Sequence, residues 1–331
     1  MKAGIIREPR RLEIADVEAG EIGENDVRVE VRVSGICGTD VHIYGGDYLG
    51  SYPIIPGHEF AGVVTEVGAG VSRFRPGDRV AIEPNVACDN CEACLNNRQN
   101  FCEKWNGIGV TLSGGMAQYA VVPEKAVFDI GSMPFGVAAF VEPLACVLHG
   151  VERAGPRLGD RVLVIGAGPI GVLLTKTITI RGASNITQVD KNRDRLEIAA
   201  ANGASQTMES LDALPPDAFD LVIDATGVPA VMERMPAYAR PGGAVLLFGV
   251  PPQEGKVTFD AFPIFRKGLT ILSTFTSVRN SIQAVRLLAS GSIDVAPLIS
   301  HRLELEEFEK GLELMESGAD SVMKVHVLPN G

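Results

Sequence analysis

An α/β architecture, with a doubly wound parallel sheet joined to a second, mostly β domain, is predicted by three observations. Between residues 161 and 274, short and nearly continuous apolar runs alternate with segments of helical pattern: "RVLVIG" at 161, "ITQVD" at 186, "DLVIDAT" at 220, "AVLLFG" at 244 and "LTILST" at 269. Strands apolar on both faces and separated by helices belong to parallel sheets covered on both sides. Upstream, "DVRVEVRV" at 26–33 alternates valine with polar residues at a period of two, as a strand with one buried face does. Finally, 331 residues exceed the usual size of one domain.

Taken in order, "GVVTEVGAGVSRFRPGDRVAI" (62–82) gives a strand, a glycine-rich turn, a Pro-Gly-Asp turn and another strand. The texture changes near residue 135, where "FGVAAFVEPLACVLHGVERAG" offers apolar residues at helical spacing and stops at Gly155. "RDRLEIAAANGA" is the helix after the second apolar run. Beyond residue 275 come the helix "SIQAVRLLASG", then "LEEFEKGLELMESG" with Leu305, Phe308, Leu312 and Met315 on one face, and a closing strand, "VMKVHVLP", that returns to the first domain.

Composition narrows the class. Hydrophobic residues at 46% and charged residues at 21% suit a soluble globular enzyme and exclude a disordered or fibrous chain. "MKAGIIREPRRLEIADVE" has no apolar core of signal-peptide length, and the longest apolar run, "VLVIGAGPIGVLL", is broken by Gly and Pro. A cytoplasmic protein without membrane association is therefore expected, and in that compartment six cysteines indicate metal or redox chemistry more than disulfides. A net charge of −11, with no Lys/Arg block to offset it, disfavours nucleic acid as a partner.

"VLVIGAGPIG" places Gly166, Gly168 and Gly171 in a G-x-G-x-x-G pattern, with Pro169 and Ile170 between them, directly after a strand and at the start of a helix. The three glycines permit a tight turn, close approach of a pyrophosphate and close helix–strand packing. Helix N-terminal amides then face the phosphate charge. Nineteen residues after Gly171, Asp190 ends the second strand, about where a carboxylate binds the ribose hydroxyls of NAD. It would repel the 2′-phosphate of NADP, although Lys191, Arg193 and Arg195 follow it. A blander role for Asp190, the N-cap of the helix at 192, is compatible with ribose binding. No G-x-x-x-x-G-K-[ST] occurs, which disfavours a triphosphatase and leaves redox chemistry.

"GICGTDVHIYGG" supplies Cys37, Thr39, Asp40 and His42, "PGHEFAG" supplies His58 and Glu59, and "FVEPLACVLH" supplies Glu142. Cys37, His58 and a carboxylate form a mixed S, N, O set that suits zinc with a fourth position open. In "CDNCEACLNNRQNFC", Cys88, Cys91, Cys94 and Cys102 stand at spacings of three, three and eight, fitting a closed and therefore structural four-thiolate site. Cys146 reads as a buried apolar residue.

Over essentially the whole chain, "GICGTDVHIY", "PGHEFAG", the four-cysteine lobe, "VEPLACVLH" and "GAGPIG" resemble, in order, the zinc-dependent medium-chain dehydrogenases. Glu142 looks like the polyol (sorbitol, xylitol, arabinitol) branch, since the family's alcohol dehydrogenases carry Cys there; "ICGTDVHIY" is also similar to threonine dehydrogenases. The resemblance implies a GroES-like catalytic domain over 1–144, with its structural zinc lobe at about 84–104, a Rossmann NAD-binding domain over 145–275, a return to the catalytic domain over 276–331, and a homodimer or homotetramer. In sorbitol-type enzymes the ligands matching Cys37, His58 and Glu59 hold the catalytic zinc, and the Glu matching Glu142 reaches it through water; in relatives that carboxylate binds directly. Both arrangements stay open.

By the same resemblance Thr39 begins a proton relay that ends at His42, Asp40 orients His58, and Arg195 lies near the adenosine end of the cofactor. The implied reaction is zinc-assisted hydride transfer between a secondary alcohol of a polyol and NAD, with one catalytic and one structural Zn²⁺. Sorbitol enzymes place Arg after Phe at the position of "STFTSV", whereas Phe275 is followed here by Thr276, a departure that argues against sorbitol itself. A threonine dehydrogenase is one alternative. A polyol-phosphate dehydrogenase is another, with Arg279 or Lys104 as the phosphate's cation, though both also read as surface charge. A zinc-ribbon nucleic-acid module fails on net charge, and a zinc-free reductase leaves Cys37, His58 and Glu142 without a role.

Overall fold

The computed structural model describes residues 1–48 and 50–331, residue 320 by its backbone alone. The chain divides into two compact units, Met1–Ala145 with Ser277–Gly331, and Cys146–Thr276.

In the first unit, the hairpin β1 (Lys2–Glu8) and β2 (Arg11–Asp16) precedes β3 (Asp26–Ile36), whose Val27, Val29 and Val31 are fully buried on one face as the period of two predicts. Helix α1 (Gly38–Gly45) and strands β4 (Glu59–Val67) and β5 (Arg79–Ile82) follow. The cysteine lobe is bracketed by the two-residue strands β6 (Asn85–Val86) and β7 (Asn106–Gly107), which pair with each other and enclose the single-turn helix α2 (Glu92–Leu95). Strands β8 (Tyr119–Pro123) and β9 (Val127–Asp129) complete this part. The apolar segment at 135–155 is not one helix: α3 (Phe135–Ala138) ends before α4 (Val141–Ala154) begins. Phe135–Ala154 is long and apolar enough by composition to cross a bilayer, but much of it is buried within the fold, as in the core helix of a folded domain.

The second unit is a parallel sheet. Its strands are β10 (Arg161–Ile165), β11 (Asn185–Val189), β12 (Gln206–Met208), β13 (Phe219–Asp224), β14 (Ala239–Leu247) and β15 (Thr270–Ser273), interleaved with α5 (Pro169–Ile180), α6 (Arg193–Ala201), α7 (Pro229–Met232), α8 (Met235–Tyr238) and α9 (Ala261–Lys267). The order β12-β11-β10-β13-β14-β15 is doubly wound, with the direction of strand addition reversing at β10/β13, so the fold is of the Rossmann type. Ligands of such sheets sit at the carboxyl ends of the strands near that reversal.

Residues 277–331 rejoin the first unit through α10 (Ser281–Ala289), β16 (Ile299–Glu304), α11 (Phe308–Ser317) and β17 (Lys324–Leu328). Leu305, Phe308 and Leu312 are buried, and β17 pairs antiparallel with β3. The resulting order is β16-β17-β3-β4-β5-β9, with β8 also on β3. Three neighbouring strand ends therefore meet at one rim: Ile36 of β3, Glu59 of β4 and Lys324 of β17.

Candidate active site

Cys37 leaves β3 and becomes the N-cap of α1, with Asp40 at the third helical position. One Asp40 oxygen accepts the Cys37 amide at 2.8 Å; the other accepts the Gly57 amide at 3.1 Å and lies 3.6 Å from His58 Nδ1. A buried carboxylate thus joins the helix start to the loop that carries His58. That loop needs Gly57, whose φ is +92° and whose added Cβ would lie 2.7 Å from Ser34 Oγ. Gly35, opposite Glu59 in the β3/β4 ladder, leaves room for it: a Cβ there would meet a Glu59 oxygen at 2.4 Å.

The Cys37 thiol, a His58 nitrogen and a Glu59 oxygen lie within 4.8 Å of one another. Burial works to lower the His58 pKa, but Asp40 and Cys37 hold it well above its usual value. The potential here therefore favours positive charge. Lys324 Nζ donates to both Glu59 oxygens, at 2.6 and 2.8 Å, and to the Ile36 carbonyl. Lys324 is only 3% exposed; burial pulls its pKa down, and Glu59, Cys37 and Glu142 more than offset that. The donor set, its spacing and its negative potential fit Zn²⁺. Glu142, in the first turn of α4, is buried and acts electrostatically on Lys324, but it stands outside the three-donor group. Thr39 and His42, both half-buried, stand three residues apart on α1, and so on neighbouring turns of one face. His42 Nδ1 lies 3.1 Å from Asp47.

In the lobe, Cys88, Cys91, Cys94 and Cys102 bring their sulfurs within 4.8 Å of one another as free thiols. Two of the separations are 3.5 and 4.0 Å. Zn–S bonds of about 2.3 Å require roughly 3.8 Å between sulfurs of a tetrahedron, so these too fit zinc. Backbone amides of Cys94 and Glu103 pull Cys91 down to about 6, while burial and the neighbouring thiols push Cys94 up. The Cys102 sulfur accepts the amides of Cys88 and Lys104.

In the second unit, Gly166 turns the chain at φ +106° after β10, and Pro169 opens α5 with Gly168 as N-cap. A Cβ on Gly171 would lie 2.0 Å from the Gly166 carbonyl, which is the close helix–strand packing expected of that glycine. Ile170 is half-buried beside it. Asp190 accepts the Ala167 amide at 2.7 Å and the Asn192 amide at 2.9 Å; the helix cap itself is Asn192, which accepts from Arg195. Gly166, Asp190, Thr226, Val228 and Arg234 line a cavity of about 460 Å³ at the carboxyl ends of β10, β11 and β13. The motif reading missed Thr226 and Val228, although "DATG" after an apolar run marked a strand-end loop, and it missed Lys324, whose only signal was a cation inside "VMKVHV". Of the two cations considered for a phosphate, Arg279 is exposed and lies 3.7 Å from Asp89, and Lys104 is exposed.

Residues 23–132 match the alcohol dehydrogenase GroES-like domain family and residues 169–290 the zinc-binding dehydrogenase family. D-altritol 5-dehydrogenase of Agrobacterium fabrum (strain C58 / ATCC 33970) is 37% identical, over 91% of this chain and 91% of that protein. D-arabinitol dehydrogenase 1 of Uromyces fabae is 32% identical over 100% of this chain and 97% of that protein. Among solved structures, a zinc-binding dehydrogenase from Sinorhizobium meliloti 1021 bound to NADP superposes with a TM-score of 0.95 at 32% identity, covering 99% of each chain.

Proposed function

The chain belongs to the zinc-binding, GroES-like alcohol dehydrogenase family, and from that premise we propose that it is a polyol dehydrogenase that moves a hydride between a secondary alcohol of a sugar alcohol and NAD. The observation that carries this is the Cys37–His58–Glu59 group, its histidine and carboxylate buried, with the cation Lys324 set against that carboxylate.

When bound, Zn²⁺ supplies the Lewis acidity that lowers the pKa of the alcohol, and the nicotinamide dinucleotide supplies the hydride acceptor. Cys37, His58 and Glu59 would hold the metal. Asp40, 3.6 Å from Nδ1, would orient His58. Thr39 would take the alcohol's proton toward His42, whose half-exposed ring and neighbouring Asp47 suit the solvent end of a relay. Asp190 would receive the ribose hydroxyls, Gly166, Gly168, Pro169, Ile170 and Gly171 the pyrophosphate turn, and Arg195 the adenosine end. Glu142, beside Lys324 and outside the three donors, would act through water.

A polyol is supported by the names of the similar enzymes, which act on altritol and arabinitol. The surface setting of Arg279 and Lys104 favours an unphosphorylated substrate. The lobe would hold the second, structural zinc. A cytoplasmic homo-oligomer is part of the same proposal: Phe262 and Phe265 on α9 are 71% and 81% exposed and lead into β15, an edge strand of the parallel sheet, which suits a second copy. Light scattering on the purified protein tests that. The function itself is tested by screening pentitols, hexitols, threonine and polyol phosphates with NAD, beside a Cys37→Ser variant. We expect turnover of unphosphorylated polyols by the parent and none by the variant; threonine as the preferred substrate would overturn the polyol assignment.

A further inference from the structure

One buried carboxylate has no part in the chemistry above. Glu83, just after β5, is buried, and none of its bonded partners is a cation. One oxygen accepts the Asn85 amide at 3.2 Å and the Asn85 side-chain NH₂; the other accepts the hydroxyls of Ser277, at 2.9 Å, and Ser281. No ion pair involves it among the described residues. Burying an anion among neutral donors alone is costly, and converging hydroxyl and amide donors are best met by a group that only accepts.

The donors lie where the chain re-enters the first unit, at Ser277. Ser277, Asn280 and Ser281 are all buried, and within this short segment two residues other than glycine, Thr276 and Arg279, take left-handed backbone angles, φ +50° and +56°. Such conformations are costly and persist only where the surroundings over-determine them. Immediately upstream stand Phe275 and Thr276, just past the carboxyl end of β15 and so on the side of the sheet where ligands of parallel sheets bind. On its other side, Asn85 accepts a hydrogen bond from Trp105 Nε1 at 3.0 Å, and Trp105 packs against Ala87, Cys94 and Cys102 in the core of the cysteine lobe.

We propose that Glu83 is a positioning residue for the dehydrogenase reaction. Its carboxylate clasps the strained return segment Thr276–Ser281, holds Phe275 and Thr276 in place, and through Asn85 and Trp105 makes that placement depend on the lobe. The lobe then serves turnover as well as stability, by fixing the chain that follows the carboxyl end of β15. This rests on the alcohol dehydrogenase function, so the test includes a measurement that needs no substrate.

Glu83→Gln, Ser277→Ala and Ser277→Thr would be compared with the parent by amide hydrogen exchange over residues 276–284, by polyol kinetics, by zinc content and by melting. Glu83→Gln and Ser277→Ala should speed exchange in the return segment roughly tenfold or more, the factor set by losing one charge-assisted hydrogen bond. They should lower kcat/KM about 10- to 100-fold, as a small misplacement of reacting groups does, with zinc content unchanged. Ser277→Thr keeps the hydroxyl and should restore both. Two variants that melt lower but keep the parent's exchange and kcat/KM would reduce Glu83 to a structural role and overturn the proposal, as would faster exchange with unaltered kinetics. A parent inactive on every alcohol would instead sink the assigned function, while the exchange data still decide the clasp.

Discussion

At the tip of β11, Asp190 already accepts the Ala167 and Asn192 amides, so its carboxylate is oriented before any ribose arrives. Of the cations that follow it, Arg193 is turned onto Glu209 at 2.7 Å and Lys191 is exposed. A 2′-phosphate would face the carboxylate with little local compensation, so kcat/KM should be higher with NAD than with NADP, and Asp190→Ser should narrow or invert the gap. Equal efficiency of the two cofactors in the parent would sink this expectation, and the NADP in the similar Sinorhizobium structure makes the comparison worth doing first. Lys324 invites a second test. Removing one partner of a buried ion pair costs about 3 to 5 kcal/mol; here a metal at Cys37, His58 and Glu59 would take over part of the lysine's task. Lys324→Met should therefore destabilise the chelator-treated protein more than the zinc-loaded one, widening the gap between their melting temperatures. An unchanged gap would mean that Glu59 does not face the metal. Cys37, Asp40, His58 and Glu59 were legible because each stands in a local motif, whereas Lys324 lies 265 residues from the carboxylate it neutralises and only the pairing of β17 with β3 brings it there.

The cysteine lobe is an element that its own backbone cannot hold. It has one four-residue helix, a pair of two-residue strands, and an apolar core of little more than Ala87, Cys94, Cys102 and the flank of Trp105. With so little burial, the proposed structural zinc would supply folding free energy. Cys94→Ser should lower the melting temperature and reduce bound zinc from two toward one per chain, whereas Cys37→Ser should abolish turnover and bind NAD almost as the parent does. A Cys94→Ser protein that melts like the parent and stays zinc-replete would remove the structural role. The spacing of the cysteines announced this lobe. Other elements had no such signal: β12 is three residues, Gln206–Met208, with none fully buried, and β16 alternates too weakly to be read as a strand. The break between α3 and α4 falls inside a continuous apolar pattern, where periodicity sees only one helix.

For the whole molecule, the parallel sheet was legible because strands buried on both faces leave apolar runs, and the mostly β first unit because β3 alternates. The return of the last 55 residues was suggested by the closing strand "VMKVHVLP" and by resemblance, but no local period says that β17 will lie beside β3. That pairing buries more than Lys324. His326, on the same face of β17, is 1% exposed, stands edge-on to Phe140 at 5.7 Å between ring centres, and among the described residues has no hydrogen-bond partner at either ring nitrogen. Burial, helped by the charges of Lys324 and Arg302, pulls its pKa down to about 3. In the unfolded chain the same imidazole titrates near 6.5, so between about pH 6.5 and 3 the unfolded state binds the proton and the native state does not. Above that window His326 carries no penalty; as pH falls through it, stability should drop by about 1.4 kcal/mol per pH unit from this group alone. Other groups titrate in the same range, and the difference between parent and His326→Phe isolates the one proton. Urea unfolding at pH 6.5, 5.5 and 4.5, with zinc in excess, should give a shallower loss of stability for His326→Phe than for the parent, by close to one proton across the window. Parallel losses in the two proteins would mean that His326 is hydrated or protonated in the native state, and that the rim beneath Lys324 is wetter than its packing implies.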